Sequence, residues 1–356
     1  MKTLFIIGNG FDLAHGLKTS YKDFIEDYLK QIFEVVEKNS EYNDDLITIK
    51  FEQKMGTLDF IKKLSQKSTG FEKLEYCQFN TEGFQIEFHF ELLKKSIKNF
   101  QNFRWVDVEY EYYKLLQKCL GSDEEKIYQE IQDLNKLFES FKNLFFKYIF
   151  NENAKITRET RFEEMFDFLK SIINEQIDKH NICFLSFNYT SLANLYYQNF
   201  KGANSKFIQI HGSCDNNLSN PQIFGYGDEM DKRLGDLEDI NIQDAFKNIK
   251  SINYSKNQNY KQLYAFMTSS VVNSIDGYNV KVIGHSCGLS DRTLLNEIFE
   301  SELCHSITLY HYRKDENNTD FEEKYSEIFR QFKEKTLLRK KVETFNKDHF
   351  IPQWND

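Results

Sequence analysis

The sequence predicts a parallel α/β protein whose first strand is separated from the other strands by a large helical insertion. An apolar, β-branched run at residues 3–7 is typical of a buried parallel strand. Residues 21–176 are rich in Lys, Glu and Phe and follow a helical periodicity. After residue 180, apolar runs alternate with helical segments, which is the pattern of a parallel sheet covered by helices.

A glycine turn follows the first strand. Gly8 and Gly10 let the backbone turn tightly, and Ser20 is expected to cap a helix that runs to about Lys38. A strand, a glycine turn and a helix start can together cradle an anion, because N–H groups and the helix dipole point at one spot. The dinucleotide fingerprint G-x-G-x-x-G has Leu13 in place of its third glycine. A tight strand-to-helix connection is therefore an equally good interpretation.

The insertion is expected to consist mostly of helices. Residues 40–83 are polar and irregular, so we expect loops and short helices there. The helical part carries two stripes of apolar side chains, and such stripes are far more often packing surfaces than cofactor sites. Two stripes follow three- and four-residue steps: Ile127, Ile131, Leu134, Phe138, Phe141, Phe145 and Tyr148, and then Phe162, Met165, Phe166, Leu169, Ile172 and Ile173.

The remaining strands and helices are predicted after residue 180. Ligands of parallel α/β sheets bind beyond the carboxyl ends of the strands. The turns after Ile7, Phe187, Ile210 and Ile283 are therefore expected to converge on one cleft. The predicted strands are 182–187, 206–210, 279–283 and 306–312, with a short one at 222–225, and the predicted helices are 191–200, 259–274, 291–302 (capped by Ser290) and 321–336.

Size and composition exclude several classes of protein. A chain of 356 residues is long for one compact domain, so one core with a large insertion, or two domains, is expected. Its 46 Lys and Arg against 55 Asp and Glu argue against binding to nucleic acid. The six Cys form no C-x-x-C pair, so neither a disulfide framework nor a metal site is predicted.

Neither a targeting segment nor a membrane span is predicted. Residues 1–3 supply one basic residue, and Asp12 interrupts the apolar run that a signal peptide would need. No stretch reaches the roughly 18 apolar residues that a membrane span requires. We therefore expect a soluble, cytoplasmic protein.

Two strand ends carry candidate catalytic side chains. Asn188 follows the second strand, where its amide could both donate to and accept from a water or a sugar hydroxyl. An Asn turn that caps the next helix is the alternative. His211 follows the third strand, and an imidazole there could take a proton near neutral pH. A hydrogen-bonded core histidine is the alternative for His211.

A second enzyme class stays open at residues 284–288. The run Gly-His-Ser-Cys-Gly matches G-x-S-x-G, the nucleophile elbow of α/β-hydrolases, between a predicted strand and a predicted helix. Only about 70 residues follow it, which leaves little room for the rest of that fold. Ser286 would be the nucleophile, with Asp291, Asp315 or Asp320 and His305, His311 or His349 as its partners.

Five motifs stand in a fixed order along the chain: Ile6-Ile7-Gly8-Asn9-Gly10-Phe11-Asp12-Leu13, Trp105-Val106-Asp107-Val108-Glu109, Phe187-Asn188-Tyr189-Thr190, His211-Gly212-Ser213, and Ile283-Gly284-His285-Ser286 followed by Asp291. As an ordered set they resemble the AbiH family of bacteriophage abortive-infection proteins. The resemblance implies a role in anti-phage defence and covers the chain from its first residues to about Asp291. Within it, Asp107 and Glu109 lie on different faces of a predicted helix and are expected to be surface or interdomain charges.

The same turns more distantly resemble those of sirtuins and of related NAD-hydrolysing domains. The resemblance implies that Asn188 and His211 are catalytic and that NAD is the ligand. The chain departs from the sirtuin pattern at several positions, and it lacks the four zinc cysteines, so the resemblance does not extend to protein deacetylation. The departures are Asp12 for Ser, Tyr21 for the loop Arg, and Phe187 and Thr190 for the Gln and Asp beside the catalytic Asn.

These observations predict a Rossmann-like (sirtuin-like) nucleotide-binding domain formed by residues 1–25 and 176–345. Residues 26–175 are the predicted insertion, and 346–356 a tail. The predicted function is abortive infection through NAD binding and N-glycosidic cleavage, with a non-catalytic nucleotide sensor as an alternative. Predicted partners are the nucleotide and a phage-derived trigger, and assembly into a homo-oligomer stays open. The predicted cofactor-binding residues are Gly8, Asn9, Gly10, Phe11, Asp12, Gly284, His285 and Ser286.

Overall fold

A computed structural model describes residues 2–51, 62–79, 84–102, 107–174, 181–215, 218–240, 242–269, 277–315 and 318–354. The chain forms two compact units, one of residues 1–19 with 149–356 and one of residues 20–148. The predicted domain boundary at residues 25 and 26 lies inside a helix, and the predicted boundary at 175 and 176 falls outside the described residues.

The elements follow in chain order. Strands are β1 Lys2–Ile7, β2 Glu41–Asn43, β3 Ile47–Phe51, β4 Phe84–Phe88, β5 Ile182–Ser186, β6 Lys206–Gln209, β7 Tyr278–Ile283 and β8 Cys304–Leu309. Helices are α1 Asn9–Leu13, α2 Tyr21–Asn39, α3 Gly70–Phe79, α4 Glu91–Gln101, α5 Val108–Leu120, α6 Glu124–Asn153, α7 Glu163–Asn174, α8 Leu192–Phe200, α9 Leu234–Asp239, α10 Lys250–Asn253, α11 Asn259–Thr268, α12 Arg292–Glu300, α13 Phe321–Gln331 and α14 Lys335–Lys341. Short 3-10 helices lie at Arg158–Thr160, Gln243–Phe246, Tyr254–Lys256 and Leu289–Asp291.

The first unit contains a five-stranded parallel sheet in the order β6-β5-β1-β7-β8. Every residue of the central strand β1 is buried. Leu4 and Ile6 pack into one hydrophobic core, and Phe5 and Ile7 pack into a second. Because side chains alternate between the two faces of a strand, the two cores lie on opposite faces of the sheet. The predicted parallel α/β architecture with a buried first strand is confirmed.

The buried ammonium of Lys2 binds carbonyl groups at the C-terminal end of helix α11. Its Nζ donates to the backbone carbonyls of Phe266 (2.9 Å), Met267 (2.7 Å) and Ser269 (2.8 Å). The last carbonyls of a helix have no partner within the helix and carry a partial negative charge, so a cation stabilises this end. The strand β1 is thus fixed to the helix by a charge as well as by its apolar side chains.

The second unit contains the predicted helix start and an unpredicted sheet. Ser20 and Asp23 form a capping box at α2, which confirms Ser20 as the cap. Strands β2, β3 and β4 form an antiparallel sheet. The expectation of loops and short helices at residues 40–83 holds for helix α3 but is wrong for β2 and β3. The alternation of Ile47, Ile49 and Phe51 with polar residues carried a strand signal. The pairing of β3 with β4 crosses more than thirty residues, which local pattern does not encode.

The acidic residues near residue 107 have two different environments. Trp105 and Val106, which belong to the same motif, lie outside the described residues. Asp107 caps α5 by accepting the N–H of Tyr110 at 3.0 Å. Glu109 is buried, with 6 % of its surface exposed, so of the two expected environments, surface or interdomain, the surface one is wrong for this residue.

Several predicted boundaries change in the first unit. Residues 222–225 form no strand; a single bridge joins Tyr226 to Ile249 instead. Ser290 does not cap α12, because residues 289–291 form a 3-10 turn and Asp291 occupies the capping position. The predicted helix 321–336 is divided into α13 and α14. In the part of the chain that the structure describes, no helix has the length and apolarity needed to cross a bilayer.

Candidate functional site

The turn after β1 packs directly against the turn after β7. The N–H of Gly8 donates to the carbonyl of Ile283 (3.1 Å), and the N–H of Gly10 donates to the carbonyl of Gly284 (2.8 Å). An ideal Cβ on Gly8 would lie only 2.4 Å from the Cα of His285. The approach of the second turn therefore requires glycine at residue 8.

The backbone N–H groups of the predicted anion cradle have partners within the protein. Besides the bonds of Gly8 and Gly10, the N–H of Phe11 donates to the carbonyl of Gly8 (2.9 Å). The side chain of Asn9 accepts a hydrogen bond from Thr19 Oγ1 at 2.6 Å. A ligand at this turn would consequently be held by side chains rather than by these three N–H groups.

A buried carboxyl lies behind the glycine turn. Asp12 accepts hydrogen bonds from Asn188 Nδ2 (2.9 Å) and from Thr190 Oγ1 (2.7 Å), and Asn188 Nδ2 also donates to the carbonyl of Gly8 (3.1 Å). Burial raises the pKa of Asp12 from 3.8 to about 7, although the bonds from Thr190 and Asn188 lower it in part. The turns after β1 and β5 are therefore joined through a carboxyl that can gain or lose a proton near neutral pH.

A second buried carboxylate organises the ends of β6 and β7. Asp291 Oδ1 lies 2.7 Å from Lys250 Nζ and 3.1 Å from His211 Nε2. On its other side, Asp291 Oδ2 lies 3.6 Å from His285 Nε2. Three basic side chains from three separate segments thus surround one acidic group.

The charges in this cluster are set by burial and by one another. Burial favours the neutral carboxyl of Asp291, but Lys250 and the two histidines hold its pKa below the ordinary value. Burial, and then the charge of Lys250, lower the pKa of His211. Burial lowers the pKa of His285 to about 4. Both imidazoles are therefore neutral at pH 7, while Asp291 is ionised.

Lys250 reaches the cluster because its backbone pairs with a distant segment. The N–H of Tyr226 donates to the carbonyl of Asn248 (3.1 Å), and the N–H of Lys250 donates to the carbonyl of Tyr226 (2.8 Å). Gly225 adopts φ +140°, and an ideal Cβ there would lie 2.0 Å from the Asn248 carbonyl oxygen. This pairing directs the Lys250 side chain to Asp291, where it is almost completely buried.

An aromatic side chain connects the two clusters. The Phe187 ring packs edge-on against His285 (centroids 4.2 Å apart) and against His211 (5.1 Å). The next residue, Asn188, binds Asp12. The Tyr254 ring is nearly parallel to the His211 ring, and its hydroxyl lies 3.5 Å from His211 Nε2. The ends of β1, β5, β6 and β7 therefore contribute to one continuous buried region.

The structure places the predicted site residues in three environments. Asn188 and His211 lie at the ends of neighbouring strands, but among the described hydrogen bonds none joins their side chains directly. Phe11 faces the hydrophobic core, where its ring contacts Tyr196. Ser286 is exposed, whereas its neighbour His285 is buried.

Sequence reasoning missed three members of these clusters as site residues. Thr190 entered only as part of a family motif and as a departure from the sirtuin pattern, and Lys250 and Tyr254 were not singled out. Asp291 was considered as a residue that follows the last family motif, as the start of a helix and as a partner of Ser286, but not as a member of this site. A signal existed for Asp291, because an acidic residue stands soon after a glycine-bearing strand end. Lys250 lies in a segment without periodicity, so its position follows only from the pairing with Tyr226.

The turn that carries Ser286 is strained, as in a nucleophile elbow, but the described residues show no histidine bonded to Ser286. The strained turn places positive φ angles at Gly284 (70°) and Cys287 (56°), on either side of Ser286. His305 lies at the N-terminal end of β8, away from the carboxyl ends of the strands. The His311 ring packs between Phe321 and Phe345. In the described part of the chain, no hydrogen bond links Ser286 to a histidine.

Ser286→Ala tests the elbow directly. If Ser286 only hydrogen-bonds a ligand, the change should weaken binding by about 1 kcal/mol and leave partial function. The measurement is ligand binding together with labelling by a serine-directed phosphonate, using His211→Ala as the matched comparison. Stoichiometric labelling at Ser286, with complete loss of activity in the alanine variant, would instead establish the hydrolase.

We predict that the chain needs no metal. Within the described ranges, no group of three His, Cys, Asp or Glu side chains is arranged to hold a metal ion. Two histidine rings lie next to Asp291, but Lys250 contacts the same carboxylate, and its positive charge would repel a metal cation. Elemental analysis of chelator-washed protein should find no stoichiometric zinc, and finding it would contradict the prediction.

Comparison with known proteins connects this site to a family. A family model for bacteriophage abortive infection AbiH matches residues 4–313, which is most of the chain and includes both buried clusters. Comparison with curated proteins gave no match. The predicted resemblance to AbiH is thus confirmed, while the resemblance to sirtuins stays a prediction. The chain belongs to the AbiH family of bacteriophage abortive-infection proteins.

Proposed function

We propose that this protein acts in abortive infection by binding NAD at the carboxyl edge of its parallel sheet and hydrolysing the N-glycosidic bond. One observation carries the proposal: the ends of β1, β5, β6 and β7 bring Asp12, Asn188 and His211 into one buried polar region. Titratable groups with shifted pKa values, gathered at the ligand-binding edge of such a sheet, are typical of functional sites.

The topology supports a nucleotide as the ligand. Numbered among themselves, the five parallel strands have the order 3-2-1-4-5, which is the order of the first five strands of doubly wound dinucleotide-binding sheets. The strand order reverses direction between β1 and β7, and in such sheets the ligand lies at this switch point. The glycine turn after β1 and the turn carrying Gly284 and His285 meet there. We place the nucleotide against these two turns.

The buried side chains fit the chemistry of glycosidic hydrolysis. In this reaction the bond between ribose C1′ and the nicotinamide nitrogen breaks, water attacks C1′, and one proton leaves the water. Asn188 would orient the water or a ribose hydroxyl through its amide. His211 is neutral at pH 7 and would accept the proton that the water loses. Asp12 would accept a hydrogen bond from a ribose hydroxyl when it is ionised.

A specific observation also favours a second candidate, a sensor that holds a nucleotide without cleaving it. Asp12, Asn188 and His211 expose only 1 %, 6 % and 4 % of their surface, and they are hydrogen-bonded or ion-paired to other protein groups. Groups satisfied in this way stabilise the fold without a substrate. The second candidate shares the binding site and differs only in turnover.

Mass spectrometry of the purified protein and of infected cells separates the candidates. The enzyme should release nicotinamide and ADP-ribose from added NAD, and infected cells that carry it should lose NAD. A sensor should retain intact nucleotide and leave the cellular NAD concentration unchanged. Defence without bound nucleotide and without a fall in NAD would contradict both. Purified protein incubated with extract from infected cells tests whether a phage-derived trigger is needed.

A further inference from the structure

We propose that Asp291 is a positioning residue that holds a proton on Nε2 of His211, so that Nδ1 becomes the proton-accepting nitrogen of the neutral ring. The proposal rests on the proposed function, in which His211 accepts a proton from water. It also assigns a role to Lys250, which holds Asp291 in place. Neither residue contacts the substrate in this assignment.

The position of Asp291 is the first argument. It stands at the N-terminus of α12, where an aspartate commonly accepts a hydrogen bond from the backbone of its own helix. Its side chain makes no such capping bond. The carboxylate instead contacts Lys250 Nζ (2.7 Å) and His211 Nε2 (3.1 Å) with the same oxygen. Helix α12 therefore lacks a side-chain cap, and the Asp291 carboxylate contacts the buried cluster instead.

The tautomer of His285 is the second argument. The N–H of Cys287 donates to His285 Nδ1 at 2.9 Å, so the proton of the neutral His285 ring must be on Nε2. That nitrogen faces Asp291 Oδ2 at 3.6 Å. An ionised carboxylate only accepts hydrogen bonds, so every neighbour at contact distance must donate. By the same rule, His211 must carry a proton on Nε2.

A neutral imidazole has one donor and one acceptor nitrogen, which fixes the consequence. With Nε2–H directed to Asp291, the lone pair of His211 is on Nδ1. Uptake of a proton at Nδ1 creates an imidazolium next to Asp291, and the opposite charge stabilises it. The backbone of Phe187 favours the same protonated form. Both interactions stabilise the imidazolium that forms when the ring accepts a proton.

The other charged and titratable groups around His211 set the balance. Lys250 keeps Asp291 ionised, but its positive charge also disfavours the imidazolium. His285 faces the opposite oxygen of Asp291 and remains neutral. The Tyr254 hydroxyl lies 3.5 Å from Nε2. Lys250 and Asp291 together add no net charge, so the ring can be neutral before the proton arrives.

Nitrogen NMR of protein labelled in its histidine rings tests the assignment without any activity. The His211 signals are identified by their loss in His211→Gln. In the wild-type protein at pH 7.5, we expect a neutral His211 ring with its proton on Nε2. Asp291→Asn should lower the pKa of His211 by about one unit or more, and Lys250→Met should raise it. A proton on Nδ1 in the wild-type protein would overturn the proposal even if both variants failed to fold.

A matched control separates this effect from a general loss of stability. Glu37→Gln removes a carboxylate that is paired with the buried Lys73 in the second unit (2.7 Å) and should leave the His211 titration unchanged. If NAD is cleaved, Asp291→Asn should also shift the pH profile of kcat toward lower pH. If the wild-type protein does not cleave NAD, the proposed function alone is contradicted. An unchanged His211 pKa in Asp291→Asn would contradict this inference alone.

Discussion

His211→Ala and Asn188→Ala are each expected to nearly abolish phage defence while the protein stays folded. A general base contributes about 100-fold to 10,000-fold in rate, so its loss should leave too little activity for protection. Neither truncation removes a large apolar group from a core, and the buried hydrogen bonds that each one removes should cost about 1–3 kcal/mol, less than the roughly 5–15 kcal/mol that stabilises a typical protein. The measurement is the efficiency of plating together with intracellular NAD, at matched protein levels.

The double variant distinguishes a shared step from two separate ones. If Asn188 and His211 act in the same step of the proposed reaction, removing both should cost no more than removing either one. Asn199→Ala is a suitable control, because its amide only donates to the Leu195 carbonyl of its own helix and is exposed. Full protection by both single variants would show that neither residue is catalytic. Protection by the wild-type protein without a fall in NAD would assign the chemistry to another nucleotide.

The parts of the fold that the sequence predicts are those with local signals. The apolar run of β1, the Ser20 capping box and the alternation of strands and helices after residue 180 each depend on neighbouring residues. Their burial, capping and periodicity follow from short-range sterics and hydrogen bonds. The convergence of strand ends at one edge follows from the parallel topology.

The missed features depend on pairings between distant segments. Lys250 enters the site only because its backbone pairs with Tyr226, and the small antiparallel sheet requires β4 to return to β3. Loop closure over such distances is decided by tertiary packing rather than by local propensity. Gly8 shows the same effect in another form. Its motif predicted a tight turn, and the structure shows a second turn of the protein packed against it.

Asp12→Asn is expected to make the protein more stable than the wild type above pH 7 and to remove a pH dependence between about pH 4 and 7. Burial raises the pKa of Asp12 from 3.8 to about 7, so in that window the folded protein binds more protons than the unfolded chain. Stability from this group is therefore fully present below pH 4 and is lost as the pH rises through 7. Three pKa units correspond to up to about 4 kcal/mol, at about 1.4 kcal/mol per unit.

The asparagine variant isolates the charge because it preserves the hydrogen bonds. Its amide oxygen can accept from Asn188, and its amide nitrogen can donate to Thr190, which then accepts. Asp12→Ala is the matched comparison, since it leaves both partners unsatisfied and should cost about 1–3 kcal/mol at every pH. Urea unfolding at pH 5, 6, 7 and 8 gives the comparison. Trp354, in the same unit as Asp12, can serve as the reporter in a Trp105→Phe background.

The shape of the curves decides the outcome. Between pH 5 and pH 8 Asp12 of the unfolded chain is already ionised, so only its ionisation in the folded protein makes the difference between the wild type and Asp12→Asn depend on pH. The difference in unfolding free energy between Asp12→Asn and the wild type should grow from pH 5 to pH 8, whereas any difference caused by packing is constant with pH. Curves that run parallel for wild type and Asp12→Asn would mean that Asp12 is already ionised at pH 5. Asn188 and Thr190 would then hold a permanent carboxylate, and Asp12 would act in binding only as a fixed acceptor for a ribose hydroxyl.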